Sequence, residues 1–226
     1  MKKSLIIILL LFANFSIAQN IRATYTKTTL NMIGDESDVP SELKPSLHSF
    51  EYSDGKSIYK IISSEKSSVK LVDKETHGVK YQSVHKVILP VEDTYYKDIR
   101  NNVFRQECSD PEGGYSLKDK LREFNWELTG ETAVIKGYKC KKATAAVTSK
   151  YLNRSFPVYA WYCEAIPVSD GPSFYWGLPG LIIEVNMDNK YKISLTDIEI
   201  VKGAIVIKEP LNKNEMITRE ELDKRW

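Results

Sequence analysis

The chain has 226 residues and a formal net charge of +2, a length that fits one domain of ordinary core size. Lys2 and Lys3 account for this excess, so the remainder holds equal numbers of basic and acidic residues. Such a balance gives no long-range attraction to a polyanion, and nucleic acid is excluded as an expected partner.

The N-terminal residues 1–18 have the three parts of a secretory signal peptide. Lys2 and Lys3 form its positive start, and Leu5–Phe12 is an unbroken apolar run. Ser16–Ala18 supplies the small residues that a signal peptidase recognises. The apolar run is far shorter than the ~20 residues that span a bilayer. We therefore expect cleavage and export, as a soluble protein, to the periplasm or the cell exterior.

Strand patterns dominate residues 19–226, which we expect to form a single β-rich domain. Apolar and polar residues alternate from Ile21 to Tyr25, which indicates a half-buried strand. Asp54-Gly55 and Arg100–Asn102 each separate two strand-like runs and predict hairpins. A further long run over Glu131–Thr148 is predicted to be a strand interrupted by a bulge or bend at Gly137. About ten strands result, which favours a mainly antiparallel curved sheet or half-barrel.

Two short helices are predicted to pack on this sheet. Ser116 can cap a helix over Leu117–Phe124, in which the apolar residues share one face. Near the C-terminus, Thr218 and Glu221 have the spacing of a capping box and predict a second helix.

The chain has three cysteines: Cys108, Cys140 and Cys163. Thiols outside the cytoplasm tend to pair, and an odd number leaves one over. We favour a disulfide between Cys140 and Cys163, because both are expected on adjacent antiparallel strands. A bond between Cys108 and Cys140 is the alternative.

A loop rich in glycine and proline joins the two strands predicted on either side of residues 164–180. Asp170–Pro172 and Pro179-Gly180 are turn-forming sequences, because glycine accepts positive φ and proline fixes φ. The aromatic residues of this loop either cover one end of the core or line a ligand groove, as aromatic side chains do in many concave sites. The candidate ligand-binding residues are Trp161, Phe174, Tyr175 and Trp176.

Residues 177–182 read G-L-P-G-L-I and resemble the motif that names the GLPGLI family of exported proteins from Gram-negative bacteria. Residues 126–143 and 161–172 resemble two further blocks of that family, and Tyr95–Lys97 also fits. Cys163 departs from the pattern, which has a Thr-like residue there. The resemblance implies export, a β-rich fold and a structural role for the motif, and it brings no known activity or cofactor. The residues given this structural role are Gly171, Pro172, Gly177, Leu178, Pro179, Gly180, Leu181 and Ile182.

No catalytic or metal-binding motif is present in the sequence. The nucleophile-elbow pattern G-x-S-x-G does not occur, and neither does C-x-x-C or H-x-x-x-H, so no metal or cofactor is expected. Each histidine is expected on the surface of a strand or loop: His48, His77 and His85. Glu164, Asp170 and Ser173 are the residues that acid–base or nucleophilic chemistry would use.

Two functional hypotheses follow. The first is a non-enzymatic envelope protein that binds an apolar or peptide-like ligand, or another envelope protein, as a carrier or chaperone-like module. The second is a secreted hydrolase that acts on peptide or glycan. A hydrolase requires titratable groups that converge in one cleft, whereas a carrier requires an apolar surface.

Overall fold

A computed structural model of the chain describes residues 19–30, 41–43, 45–62, 68–88, 92–109, 114–149, 152–203 and 205–224. The signal peptide predicted for residues 1–18 lies outside this part of the chain. Among the residues described, no helix is long and apolar enough to cross a membrane.

The described residues form fifteen strands and one short helix. The strands are β1 (Asn20–Thr29), β2 (Ser41–Leu43), β3 (Ser46–Ser53), β4 (Lys56–Ile61), β5 (Ser68–Thr76), β6 (Val79–Ile88), β7 (Glu92–Asp98), β8 (Val103–Ser109), β9 (Tyr115–Asp119), β10 (Glu127–Ile135), β11 (Tyr138–Ser149), β12 (Arg154–Cys163), β13 (Leu181–Met187), β14 (Tyr191–Val201) and β15 (Met216–Ile217). The helix is α1 (Arg219–Asp223).

Twelve of these strands form one open sheet, in the order β10-β11-β12-β13-β14-β1-β3-β4-β7-β8-β9-β15. All neighbouring strands are antiparallel except β15, which runs parallel to β9. Strands β2, β6 and β5 form a second, three-stranded sheet. The predicted mainly β, antiparallel architecture is therefore confirmed, whereas the predicted number of strands was too low.

Both predicted hairpins are present. Asp54 and Gly55 turn the chain between β3 and β4 with φ of 52° and 78°, the two positive values that such a turn requires. The turn at Arg100–Asn102 joins β7 to β8. The bulge or bend predicted at Gly137 is the turn of a further hairpin: Lys136 and Gly137 both have positive φ and separate β10 from β11.

The first predicted helix is wrong. Tyr115–Asp119 is strand β9, and the residues that follow, up to Trp126, have no regular secondary structure. This segment forms a strand because of a tertiary contact. Strand β8 supplies hydrogen-bond partners along β9, and this pairing places Leu117 in the core. The second helix is confirmed, and the Thr218–Glu221 capping box is fully formed at its N-terminus.

The core lies on one face of the large sheet, which we call the inner face. Strand pairing aligns a row of buried inner-face residues across β11 to β14: Ala143, Ala160, Val185 and Ile193. A second buried row crosses the other half of the sheet: Ala23, Phe50, Tyr59, Tyr95, Gln106 and Leu117. The loop of residues 164–180, between β12 and β13, contacts both halves of this face.

Candidate functional site

The loop of residues 164–180 is fixed to the inner face by a buried ion pair. Lys97 Nζ, from β7, lies 2.5 Å from Asp170 Oδ1, and neither side chain is exposed. The same ammonium group donates hydrogen bonds to the carbonyl oxygens of Gly171 at 2.7 Å and Tyr175 at 3.0 Å. Burial lowers the pKa of Lys97, and the negative charge of Asp170 opposes that shift. Lys97 therefore links the loop to a strand that is distant in sequence.

Two of the candidate ligand-binding residues direct their polar groups into the protein itself. Tyr175 is fully buried, and its hydroxyl is 2.7 Å from the hydroxyl of Tyr191. Trp176 Nε1 donates to the carbonyl oxygen of Arg122 at 2.7 Å. Trp126 Nε1 donates in turn to the carbonyl oxygen of Trp176 at 2.9 Å. Both rings thus pack within the protein and anchor the loop.

The other two candidates lie on different faces of the sheet. Phe174 is half-buried on the inner face, with its ring centroid 6.4 Å from that of Tyr95. Trp161 alternates along β12 with the buried inner-face residues Ala160 and Tyr162, so it lies on the opposite face. The structure therefore does not bring Trp161 together with the loop aromatics in one site.

Close packing requires two glycines of the motif, Gly171 and Gly180. A Cβ atom at Gly180 would lie 2.3 Å from the carbonyl oxygen of Cys163, and one at Gly171 would lie 2.6 Å from Cβ of Ile182. Gly177 has space around it but has a φ of +97°, which favours glycine. The other buried residues of the motif are Pro172, Leu178, Leu181 and Ile182.

Cys140 and Cys163 are both fully buried, and no disulfide joins them in the structure. They lie on adjacent antiparallel strands, β11 and β12, as the sequence predicted. The predicted bond is therefore not present in this structure, although the two strands are adjacent.

The residues considered for hydrolysis do not meet in one cleft. Glu164 is exposed and pairs with Lys141 at 2.7 Å. Asp170 is enclosed with Lys97, and Ser173 is 5% exposed. Two of these three side chains are therefore covered, and the third is on the surface with a cation as its partner.

A polar cluster on the inner face was not predicted from the sequence. We define it as the residues Lys27, His48, Tyr59, Asp93 and Tyr191, which come from five different strands. The rings of His48 and Tyr59 are stacked, with centroids 4.7 Å apart. Lys27 Nζ lies 5.0 Å from the centroid of the Tyr191 ring. The only signal in the sequence was the position of Lys27, which falls on the same side of β1 as the buried Tyr25.

Two atoms of this cluster are buried without a hydrogen-bond partner. They are Nδ1 of His48, a residue that is 3% exposed, and the hydroxyl of Tyr59, which is 1% exposed. The other ring nitrogen of His48, Nε2, is 2.8 Å from the hydroxyl of Ser46. Most buried polar groups in proteins have partners, so these two atoms need an explanation.

Both carboxylate oxygens of Asp93 accept hydrogen bonds from neutral side chains. Tyr95 donates its hydroxyl to Asp93 Oδ2 at 3.0 Å, and Gln106 Nε2 donates to Oδ1 at 3.1 Å. Burial raises the pKa of Asp93, although these hydrogen bonds oppose the shift. Burial lowers the pKa of Lys27, and the charge of Asp93 opposes that change.

The polar cluster continues into the loop through aromatic contacts. The ring centroids of Tyr59 and Tyr95 are 6.1 Å apart, and Tyr95 contacts Phe174 in turn. His48, Tyr59, Tyr95 and Phe174 thus form a row of rings along the inner face. Among the described residues, no group of His, Cys, Asp and Glu has the arrangement of a metal site.

We predict that His48 makes the stability of the protein depend on pH. Burial, together with the nearby charge of Lys27, lowers the pKa of His48 to about 3. In the unfolded chain its pKa is near 6.5, so below that pH the unfolded state binds a proton that the folded state does not. The free energy of unfolding should therefore fall by about 2 kcal/mol between pH 7 and pH 5, as measured by urea denaturation.

The matched control for this prediction is the exposed His77. His48→Gln should flatten the dependence of stability on pH, whereas His77→Asn, at a turn position with φ of 52°, should leave it unchanged. If the free energy of unfolding changed equally with pH in wild type and in His48→Gln, His48 would not be the group responsible for the pH dependence.

A family model described as a protein of unknown function (Porph_ging) matches residues 148–184. The matched segment contains the loop of residues 164–180 and the glycines that the packing requires. The match covers less than half of the chain, and the family carries no assigned activity.

Two solved structures of PNGF-II, in space groups C2 and P21, resemble this chain in fold. Each is 16% identical to it with a TM-score of 0.53, and they cover 92% and 91% of this chain. The chain spans only about a third of the length of these proteins, 32% in each case. The likeness therefore shows the fold alone. No curated protein matches the chain.

Proposed function

We propose that the protein is a non-enzymatic binding module of the bacterial cell envelope, and that it holds an apolar or peptide-like ligand on the inner face. The observation that carries the proposal is the polar cluster, in which His48 Nδ1 and the Tyr59 hydroxyl are buried without partners. Native proteins rarely leave such groups unpaired unless a ligand, a water or a functional demand explains them.

The composition of the cluster supports this ligand class. Ligand sites in proteins combine apolar walls with a few placed polar groups, and the polar cluster combines the rings of Tyr59 and Tyr191 with polar groups of His48 and Lys27. Lys27 and Tyr191 are half-buried, so they form the part of the cluster that solvent reaches. The Tyr59 hydroxyl can donate or accept a hydrogen bond, as a peptide group requires.

The hydrolase hypothesis receives less support. Its candidate residues Glu164, Asp170 and Ser173 are separated between the surface and the interior, as described above. Ser46 and His48 are within hydrogen-bond distance, but Ser46 is fully buried and lacks the access that a nucleophile needs. Export to the envelope, which the sequence of residues 1–18 predicts, suits a binding protein as well as an enzyme.

The binding proposal predicts a difference in stability between protein that carries its ligand and protein from which the ligand has been removed. Protein purified gently from the periplasm is compared with the same protein after unfolding in urea, dialysis and refolding. A ligand present at roughly 100 times its Kd should raise the melting temperature of the first sample by about 5–10 °C.

Two variants test whether the polar cluster is responsible. Tyr59→Phe removes only the unpartnered hydroxyl and should reduce the difference in melting temperature between the gently purified and the refolded protein. Tyr159→Phe, on the exposed opposite face, should preserve it. Equal melting temperatures for the two wild-type samples, with full recovery of the fold, would contradict the proposed function.

A further inference from the structure

Cys140 and Cys163 lie one position beyond Lys141 and Tyr162, the last residues that the register aligns between β11 and β12. The pairing of β11 with β12 runs in one unbroken register from Ser149–Arg154 to Lys141–Tyr162. Continued by one position, that register would place Cys140 opposite Cys163. Both residues are still within their strands, as the last residue of β12 and the third residue of β11.

Such a placement would suit a disulfide. Residues directly opposite each other in an antiparallel pair direct their side chains to the same face, with Cα atoms about 4.5–5.5 Å apart. A disulfide requires Cα atoms about 4.4–6.8 Å apart. Both cysteines are 0% exposed, so the two thiols are covered together inside the protein.

The third cysteine has no comparable position. Cys108 lies on β8, which pairs with β7 and β9 and not with either of the other cysteine-bearing strands. The alternative bond between Cys108 and Cys140 would have to join strands separated by most of the large sheet.

We propose that Cys140 and Cys163 form a disulfide when the protein folds in an oxidising compartment. This inference is independent of the proposed ligand. The oxidant is a low-molecular-weight or protein disulfide. With glutathione disulfide, its S–S bond breaks, the S–S bond between the cysteines forms, and two glutathione thiols leave with the two thiol protons. No further electron acceptor is needed.

The bond should form during folding rather than afterwards. In the folded state both thiols are covered, and burial, together with the neighbouring Cys163, raises the pKa of Cys140 to about 11. Since the thiolate is the species that exchanges, the buried thiols should react slowly. Once formed, the bond would fix the entrance of the loop of residues 164–180, because Cys163 precedes this loop and pairs with Leu181 after it.

The test is refolding of the purified protein, expressed from the full chain, in a buffer of reduced and oxidised glutathione. We expect a mass about 2 Da below that of the reduced protein and a peptide map that joins Cys140 to Cys163. Reduction should lower the melting temperature by about 5–15 °C. The Cys108→Ser variant should give the same mass change, and the Cys163→Ser variant should lose it.

Two outcomes would overturn the inference. One is a refolded wild-type protein with Cys140 and Cys163 both labelled by a thiol reagent after denaturation. The other is a map in which Cys108 is bonded to either residue. Both are measured on the wild-type chain, so a variant that fails to fold does not affect the conclusion.

Discussion

Lys97→Met should destabilise the protein by about 3–5 kcal/mol in urea denaturation. The substitution keeps an unbranched apolar chain but removes the ammonium group that faces Asp170 2.5 Å away. Asp170 would then be a buried carboxylate without a counter-charge, and it already has one oxygen, Oδ2, without a partner. The carbonyl oxygens of Gly171 and Tyr175 would also lose a donor.

A double-mutant cycle with Asp170→Asn separates the ion pair from the packing around it. Asp170→Asn alone should also be strongly destabilising, because it leaves the Lys97 charge unpaired. The double variant should be less destabilised than the sum of the two single variants, by roughly 1–3 kcal/mol. Additive effects would show that the two side chains do not depend on each other, and the assigned role of Lys97 would be wrong.

Gly180→Ala should destabilise the protein by about 3 kcal/mol, the second large effect that we expect. The added methyl group would lie 2.3 Å from the carbonyl oxygen of Cys163 and 2.9 Å from Cα of Glu164. Both are backbone atoms, so the strand end and the loop must separate to accommodate it. Urea denaturation measures the loss.

Gly177→Ala is the matched control within the same motif. Its φ is +97°, and its nearest neighbour would be the Trp126 side chain at 3.6 Å, so only the backbone conformation is unfavourable. The expected loss is about 1–2 kcal/mol, less than at Gly180. A larger loss at Gly177 would mean that positive φ, and not the close approach of two backbones, explains the motif.

Local signals predicted the elements that depend on neighbours in sequence. Asp54-Gly55 specified a hairpin, because few other residue pairs accept two positive φ values, and the Thr218–Glu221 spacing specified the start of α1. Leu117–Phe124 has a helical spacing of apolar residues but forms β9 in part, because pairing with β8 outweighs the local pattern.

The site depends on contacts that a single sequence does not display. The polar cluster joins residues from β1, β3, β4, β7 and β14, which strand pairing alone brings together. In the sequence, Tyr95–Lys97 stands out only through the family resemblance, whereas the pairing of Lys97 with Asp170 gives that segment a structural reason. The sequence predicted the position of the aromatic loop, but it did not predict which of its rings are buried, because that depends on packing against distant strands.

The most direct test of the binding proposal is native mass spectrometry of the protein purified gently from the periplasm without added ligand. We expect a reproducible additional mass that dissociates on collisional activation and is less populated in Tyr59→Phe than in Tyr159→Phe. A bare polypeptide mass for the wild type, under conditions that preserve its fold, would contradict the proposal that the inner face holds a ligand.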